Sequence, residues 1–302
     1  MWILLGALSA LFLGAYDVAK KHALRGNAVL PVLFLSVSVM ALVFAPFALL
    51  SAVLPDWASG ARWFIPPPSC HGHLLILAKS AMVVSSWICA FYALKNLPVS
   101  VVTPIRASEP LWTLFGAMTI FGERLGPWQW AGLALMVVSY GFFGRAGEKE
   151  GIRFSKNPWI LLMALAAIIG TGCSLWDKYL LSTLKIDRLT VQAWYCLYNA
   201  AILLLVCALV WYPRRRKTTP FSMRPSILAI GLLLVVADFV YFKALAITGA
   251  LVALLTILRR SSVLVSFSLG GFVFREQNLR AKFFPLLGIL AGAVLIILAS
   301  AK

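Results

Sequence analysis

The chain has 302 residues, of which 62% are hydrophobic and only 12% are charged, and its formal net charge is +17. A soluble globular domain averages about 25% charged residues, so this composition excludes a soluble fold. The cations lie mostly between apolar runs and form no aromatic-interleaved basic patch, which argues against a nucleic-acid partner. We therefore expect an integral membrane protein whose first partner is the lipid bilayer.

Apolar runs of about 18 or more residues recur along the whole chain, and this is the length that a helix needs to cross the hydrocarbon. The runs are continuously apolar, whereas strands of a membrane barrel alternate in polarity. The first run lacks a basic segment before it, which indicates a membrane span and not a cleaved signal. The sequence thus predicts an all-α integral membrane protein with ten transmembrane helices. In chain order they cover residues 2–20, 28–54, 74–95, 100–121, 128–145, 158–181, 189–212, 226–247, 250–274 and 283–301.

Similar motifs recur in the same order in the two halves of the chain. We therefore predict two tandem five-helix repeats, residues 1–147 and 148–302. Because each repeat holds an odd number of spans, the second enters the membrane inverted, an arrangement typical of secondary transporters with a midplane site. The matched motifs are Gly14–Asp17 with Ser174–Asp177, Phe91–Leu94 with Phe242–Leu245, Thr103–Arg106 with Thr256–Arg259, and Phe121–Glu123 with Phe274–Glu276.

The distribution of cations predicts the orientation of the chain. Lys and Arg are concentrated in the links after spans one, three, five, seven and nine, with Lys20, Lys21 and Lys282 among them; the other side holds fewer, including Lys79. The positive-inside rule places the richer side in the cytoplasm. Both termini are then expected outside a bacterial inner membrane.

Three arginines within spans indicate what the protein handles. Arg259 and Arg260 are adjacent in span nine, and Arg106 lies in span four. An arginine at mid-membrane costs about 2.5–3.5 kcal/mol on insertion scales, so it is retained where it faces the protein interior or a wet cavity. A guanidinium offers a planar donor fork that suits carboxylate or phosphate. The arginines therefore predict an anion-binding site.

Four acids within spans are candidate partners for these cations. Arg106 and Glu109 are three residues apart, close enough to pair on one helix. Asp238, in span eight, is expected to pair with an arginine of span nine or to act as a coupling carboxylate. Asp17 and Asp177 favour structural pairs with neighbouring lysines, the alternative being carboxylates that carry a coupling proton.

Aromatic side chains and the remaining motifs complete the sequence-based site. Trp87, Trp112 and Tyr241 lie deep enough to line a cavity, with lipid or core packing as the alternative. No nucleotide-binding loop, cysteine pair or metal-spaced cluster is found, so we expect no cofactor, no metal and no enzymatic activity. The predicted substrate-binding residues are Arg259, Arg260, Arg106, Glu109, Asp238, Tyr241, Trp87 and Trp112.

Several of these segments resemble a known superfamily. The pattern Ala93-Leu94, Ser108–Leu111 and Phe121–Leu125 is similar to the fourth-span signature of the EamA/drug-metabolite transporter superfamily, with a weaker second copy at Phe274–Glu276. The resemblance implies two tandem five-span domains and a transport function. Members are usually drawn with both termini in the cytoplasm, opposite to the orientation that the cation distribution predicts.

One branch of that superfamily sharpens the expected substrate. Triose-phosphate/phosphate translocators bind phosphate through cations on spans four and nine, two of them adjacent on span nine. Arg106 and the pair Arg259-Arg260 resemble that arrangement, and the resemblance implies an anionic substrate.

We therefore predict a monomeric or homodimeric secondary active transporter that moves a small polar, anionic metabolite by alternating access. One alternative is a proton-coupled exporter of amino acids or similar zwitterions. A second, from another class, is a lipid-phosphate translocase or a membrane-embedded lipid-modifying enzyme.

Overall fold

The structure, a computed structural model, describes residues 2–54, 61, 63–109, 112, 126–148, 156–245, 258–259, 261–276 and 278–300. All regular secondary structure in these residues is helical, which confirms the all-α prediction. Within the described residues, ten helices of nine residues or more follow one another: α1 (Trp2–Leu24), α2 (Val29–Val53), α3 (Cys70–Asn96), α4 (Val99–Ala107), α5 (Pro127–Glu148), α6 (Pro158–Lys178), α7 (Arg188–Val206), α8 (Pro225–Leu245), α9 (Ser262–Phe274) and α10 (Leu279–Ser300).

The helices have the length and composition of membrane spans. Within the described residues, six helical segments are long and apolar enough to cross a bilayer, and two shorter apolar helices accompany them. This confirms a multi-pass integral membrane protein. The six segments are Ile3–Leu24, Val29–Val53, Cys70–Asn96, Pro158–Asp177, Arg188–Arg214 and Leu279–Ala299.

Several helices begin earlier than their apolar runs because polar residues cap them. The Ser69 hydroxyl accepts a hydrogen bond from the Gly72 amide at 3.1 Å, so α3 begins at Cys70 and not at residue 74. The Asp187 carboxylate accepts from the Thr190 amide at 2.9 Å at the start of α7. Hydropathy alone does not detect such caps, and for this reason the predicted spans begin slightly later than the helices do.

Many helix contacts occur in pairs in which each helix is replaced by its counterpart in the other half of the chain. The α1–α8 contact is matched by α6–α3, α1–α9 by α6–α4, and α2–α8 by α7–α3, while α2, α4 and α5 contact α7, α9 and α10 respectively. Adding five to each number, or subtracting it, converts each of the first six contacts, between α1–α4 and α6–α9, into its partner and leaves the last three unchanged. Two five-helix repeats related by a twofold axis would produce this pattern, and the division into residues 1–147 and 148–302 stays a prediction.

Helices α5 and α10 approach closely through glycine. A Cβ atom at Gly132 would lie 2.8 Å from the Gly292 carbonyl oxygen, and one at Gly292 would lie 2.6 Å from the Gly132 carbonyl oxygen. No larger residue fits without moving a backbone. Small residues that let helix backbones approach are typical of membrane interfaces.

The link between α3 and α4 is held by two charged side chains from elsewhere in the chain. The Glu276 carboxylate accepts hydrogen bonds from the Val99 amide at 2.6 Å and from the Ser100 amide at 2.8 Å. These amides belong to the first turn of α4, where backbone N–H groups lack helical partners and favour negative charge. The carboxylate therefore ties α4 to the link between α9 and α10.

A lysine holds the other side of this link, at the end of α3. The Lys21 ammonium of α1 donates to the carbonyl oxygens of Leu94 at 2.7 Å, Leu97 at 2.6 Å and Lys95 at 3.2 Å. These carbonyls end α3, where cations complement the helix dipole. We call this region, where α3 meets α4, the α3–α4 end.

Three lysines that the sequence places in links are buried inside helices. Lys20 is 6% exposed, Lys79 is 7% exposed and Lys282 is fully buried. Each contacts an oxygen of another residue: Lys20 pairs with Asp17, Lys79 with Asp177, and Lys282 donates to the Ser100 hydroxyl at 3.1 Å. The assignment of these lysines to links was therefore wrong. From sequence alone, a cation at the edge of an apolar run is taken for a loop residue, because its buried partner is not known. The orientation of the termini stays a prediction.

Replacing Glu276 by Ala is expected to loosen the α3–α4 end. The substitution leaves two helix-terminal amides without their charged acceptor, at about 1.5–3 kcal/mol for a hydrogen bond to a charged group. A cysteine placed at Ser100, in a protein whose five native cysteines are replaced by Ser, should then react faster with a membrane-impermeant maleimide.

The matched control is Arg275→Gln, since Arg275 is the exposed neighbour of Glu276. It should leave the labelling rate unchanged. Equal labelling rates with and without Glu276→Ala would show that the carboxylate does not hold this end closed.

Candidate functional site

Two cavities lie among the helices and share a wall. The larger, about 540 Å³, lies between α3, α6, α7, α8 and Arg259; the smaller, about 330 Å³, lies between α1, α3, α4, α8 and α9. Trp87 and Arg259 line both. The other charged residues on the walls are Lys79, Asp177 and Asp238 in the larger cavity and Asp17, Arg106 and Glu109 in the smaller.

Arg259 stands at the junction of the two cavities. Its guanidinium binds one carboxylate oxygen of Asp238, and its central carbon lies 4.4 Å from the centre of the Tyr241 ring. The Arg259 side chain is 25% exposed and that of Asp238 is 20% exposed. The arginine is thus paired with an acid that the sequence singles out, yet it remains on the surface of both cavities.

The smaller cavity is built around Asp17. One carboxylate oxygen of Asp17 accepts from the Lys20 ammonium at 2.6 Å and from the Arg106 guanidinium at 2.7 Å. The structure gives Arg106 a partner that the sequence does not propose, Asp17 of α1, and the pairing of Arg106 with Glu109 stays a prediction. Glu109 lies on the wall of the same cavity. The spacing of charged residues along one helix predicts only local pairs, and it gives no information on a partner from a neighbouring helix.

A second ion pair lies at the other end of the larger cavity. The Lys79 ammonium of α3 is 2.5 Å from the Asp177 carboxylate of α6, and it lies 4.4 Å from the centre of the Tyr195 ring. The sequence favours a local pair of Asp177 with its neighbour Lys178, whereas the structure places Lys79 against it. The Asp177 side chain is 37% exposed, whereas that of Lys79 is 8% exposed.

The larger cavity therefore lies away from the α3–α4 end. Asp177 is the last residue but one of α6, and Gln192 lies in the second turn of α7. Helix α3 runs antiparallel to α6, since Lys79 pairs with Asp177 and the Ser86 hydroxyl donates to the Ala166 carbonyl. We call the region where α6 leads into α7 the α6–α7 end; it is the end opposite the clamped one.

The walls carry balanced charge. The described lining residues include three cations, Lys79, Arg106 and Arg259, and four acids, Asp17, Asp177, Asp238 and Glu109. A fourth cation, Lys20, does not line either cavity but pairs with Asp17. Each guanidinium or ammonium thus has a carboxylate in reach. Buried charges are retained when they are paired in this way, because an unpaired charge in a low dielectric is costly.

The structure brings together most of the residues that the sequence proposes for the site. Trp87, Asp238, Tyr241 and Arg259 line the larger cavity, and Arg106 and Glu109 line the smaller one. Trp112 is not among the lining residues; its indole N–H donates to the Ser108 hydroxyl at 3.0 Å. Arg260 lies outside the described residues.

Other lining residues escape sequence reasoning. Gln192, Tyr195, Ser86, Cys173 and Gly170 line the larger cavity. Uncharged residues in an apolar run give no signal of their own, since polar, small and aromatic side chains also serve helix packing and membrane interfaces. Lys79 does carry a signal, because a lysine within the predicted span 74–95 needs a partner.

The fold is shared with solved structures. One protein crystal structure superposes with a TM-score of 0.56 over 96% of this chain and 95% of that chain, at 18% sequence identity. At this identity the likeness shows the fold alone. No curated protein matches the sequence.

A family match accounts for the first half of the chain. Residues 1–144 match the EamA-like transporter family. The matched segment includes α1 to α4 and most of α5, and with them Trp87, Arg106 and Glu109. The superfamily resemblance of the sequence is thereby confirmed, whereas the similarity to triose-phosphate translocators stays a prediction. Over these residues the chain matches the EamA-like transporter family, and this match supports a membrane transporter of the drug/metabolite type.

Proposed function

We propose that the protein is a secondary transporter for a small polar metabolite, whose anionic group binds Arg259 in the larger cavity. The position of the Arg259 guanidinium, on the surface of both cavities, is the observation that carries the proposal. An arginine binds carboxylate or phosphate through two parallel N–H donors, which adds geometric specificity to charge attraction.

Asp238 and Tyr241 prepare the arginine for its ligand. The bond to Asp238 uses one of the five N–H donors of a guanidinium, so pairing with this acid is compatible with binding a second oxyanion. Asp238 neutralises the cation when the cavity holds no ligand. The Tyr241 ring, 4.4 Å away, supplies a cation–π contact that fixes the guanidinium plane.

The two ends of the helix bundle differ, and this difference suggests how transport would occur. Glu276 and Lys21 close the α3–α4 end, whereas the larger cavity lies toward the α6–α7 end. In a transporter built from two inverted repeats, rocking of one bundle against the other exposes a fixed site to each side in turn. We propose this mechanism for residues 1–147 and 148–302 in a bacterial inner membrane, with the α3–α4 end cytoplasmic.

A second candidate is an exporter of amino acids or other zwitterions. The balanced walls favour it: Asp177 and Asp238 stand beside Lys79 and Arg259 in one cavity. A ligand with an ammonium and a carboxylate could match both signs. The two candidates share the role of Arg259 and differ in whether the acids contact the ligand.

A ligand panel separates the two candidates. Purified protein in nanodiscs is heated with phosphorylated metabolites, dicarboxylates or zwitterionic amino acids, because a ligand at about 100 times its Kd stabilises the folded state by about 2.7 kcal/mol. We expect phosphorylated or carboxylate ligands to raise the melting temperature, and Arg259→Gln to remove the increase. Stabilisation by amino acids alone would favour the zwitterion exporter, and no stabilisation by any anionic or zwitterionic ligand would refute the proposed site.

A further inference from the structure

A third cavity opens on the outside of the bundle. It measures about 520 Å³ and lies between α2, α7 and α8. Its walls are almost entirely apolar, and two of its residues face outward: Phe239 is 68% exposed and Phe47 is 38% exposed. We call it the lateral groove. In a membrane-spanning bundle this surface faces lipid, so the groove is open to acyl chains.

Polar residues lie on one edge of the groove. Arg188 is the exposed first residue of α7, at the α6–α7 end. Gln192 and Asp238 follow deeper in the bundle, and both also line the larger cavity. The groove is therefore amphipathic along its length, with the exposed residue Arg188 where α7 begins, Gln192 and Asp238 along one edge, and apolar walls beyond them.

We propose that the lateral groove binds one acyl chain of an anionic phospholipid, whose phosphate contacts Arg188. The first residue of a membrane helix lies at headgroup level, where an arginine fork meets lipid phosphates. The walls formed by Phe44, Phe47 and Phe239 match a hydrocarbon chain and offer a polar metabolite nothing to bind. The cation at the edge of the groove and its apolar walls thus both fit an anionic phospholipid.

The position of the groove gives this lipid a structural consequence. Asp238 and Gln192 form the partition between the lateral groove and the larger cavity. A chain in the groove packs against the turn of α8 that carries Asp238, on the side away from the cavity. The lipid therefore supports the wall against which Arg259 is held.

Native mass spectrometry of the full chain tests the proposal. The protein is released from nanodiscs that contain phosphatidylglycerol and phosphatidylcholine in equal amounts. We expect one retained lipid, with phosphatidylglycerol preferred about fivefold, the effect of one cation near an anionic headgroup. Arg188→Gln should remove the preference. Lys185→Gln, which removes an exposed cation three residues earlier and outside the groove, should keep it.

A groove-filling variant tests the place of the chain. Val43→Trp, on the α2 wall, should abolish retention of both lipids, and Phe239→Ala should weaken retention if Val43→Trp does not fold. Undiminished retention in the folded variant would overturn the proposal. So would a phosphatidylglycerol preference that survives Arg188→Gln, or one that Lys185→Gln removes equally.

Discussion

Arg259→Ala is expected to abolish substrate binding while folded protein remains in the membrane. The substitution removes the cation from the surface of both cavities and leaves the Asp238 carboxylate without its guanidinium partner. The exposed negative charge then repels an anionic ligand. Removing one partner of a charge pair formed across a binding interface, here the pair of Arg259 with an anionic ligand, costs about 2–5 kcal/mol, which corresponds to a loss of affinity of about 30-fold to several thousand-fold.

Two further variants separate charge from geometry at this position. Arg259→Lys keeps the charge but loses the planar donor fork, so we expect about a tenfold loss of affinity where the ligand is held by two parallel hydrogen bonds. Asp238→Asn removes the competing acid and should leave anion affinity unchanged or higher. For a zwitterion, Asp238→Asn should instead weaken binding, because an ammonium would lose its partner.

Uptake into proteoliposomes and the ligand-induced melting shift measure these effects. Lys243→Ala is the matched control, since Lys243 is an exposed cation near the end of the same helix as Asp238. Its uptake should equal that of the wild type. Wild-type uptake by Arg259→Ala would remove the anion hypothesis and leave a transporter whose buried charges only stabilise the fold.

Arg260→Ala completes the comparison. Adjacent residues of a helix point about 100° apart, so we expect one of the two arginines to dominate ligand binding. The structure places Arg259 in both cavities. A larger loss for Arg260→Ala than for Arg259→Ala would transfer the proposed role to its neighbour.

The helices and the presence of charged site residues are predictable because each rests on a local physical requirement. A continuous apolar run must form a span, whatever its neighbours are. An arginine within such a run must face the interior, which is how Arg259 and Arg106 are found without coordinates. Acids within spans are rare for the same reason, so Asp238 is one of few partners available to Arg259.

The pairing of charges is less predictable because it depends on which helices meet. Arg106 has Glu109 three residues along the chain, and it binds Asp17 of α1, a partner that this spacing does not indicate. Lys79 pairs with Asp177, almost a hundred residues away. The three-residue spacing limits the local options, but only the packing of α1 on α4 and of α3 on α6 decides among them.

Asp17→Asn is expected to destabilise the fold strongly. Asp17 is 10% exposed at its side chain and accepts from both Lys20 and Arg106, so the neutral amide leaves two cations without their shared anion. Removing one partner of a buried ion pair costs about 3–5 kcal/mol. The free energy of unfolding, measured by titration with a denaturing detergent from mixed micelles, should fall by this amount.

Asp177→Asn is the control, because Asp177 occupies the matching motif in the second half and also pairs with a lysine. Its side chain is 37% exposed and it pairs with one cation, whereas Asp17 pairs with two, so the expected loss is smaller than that of Asp17→Asn. The double variant Asp17→Asn with Lys20→Met removes one stranded cation and should recover part of the lost stability. Equal losses for the two single variants would show that Asp17 does not act as the buried anchor of α1 and α4, and that the smaller cavity depends on packing instead of charge.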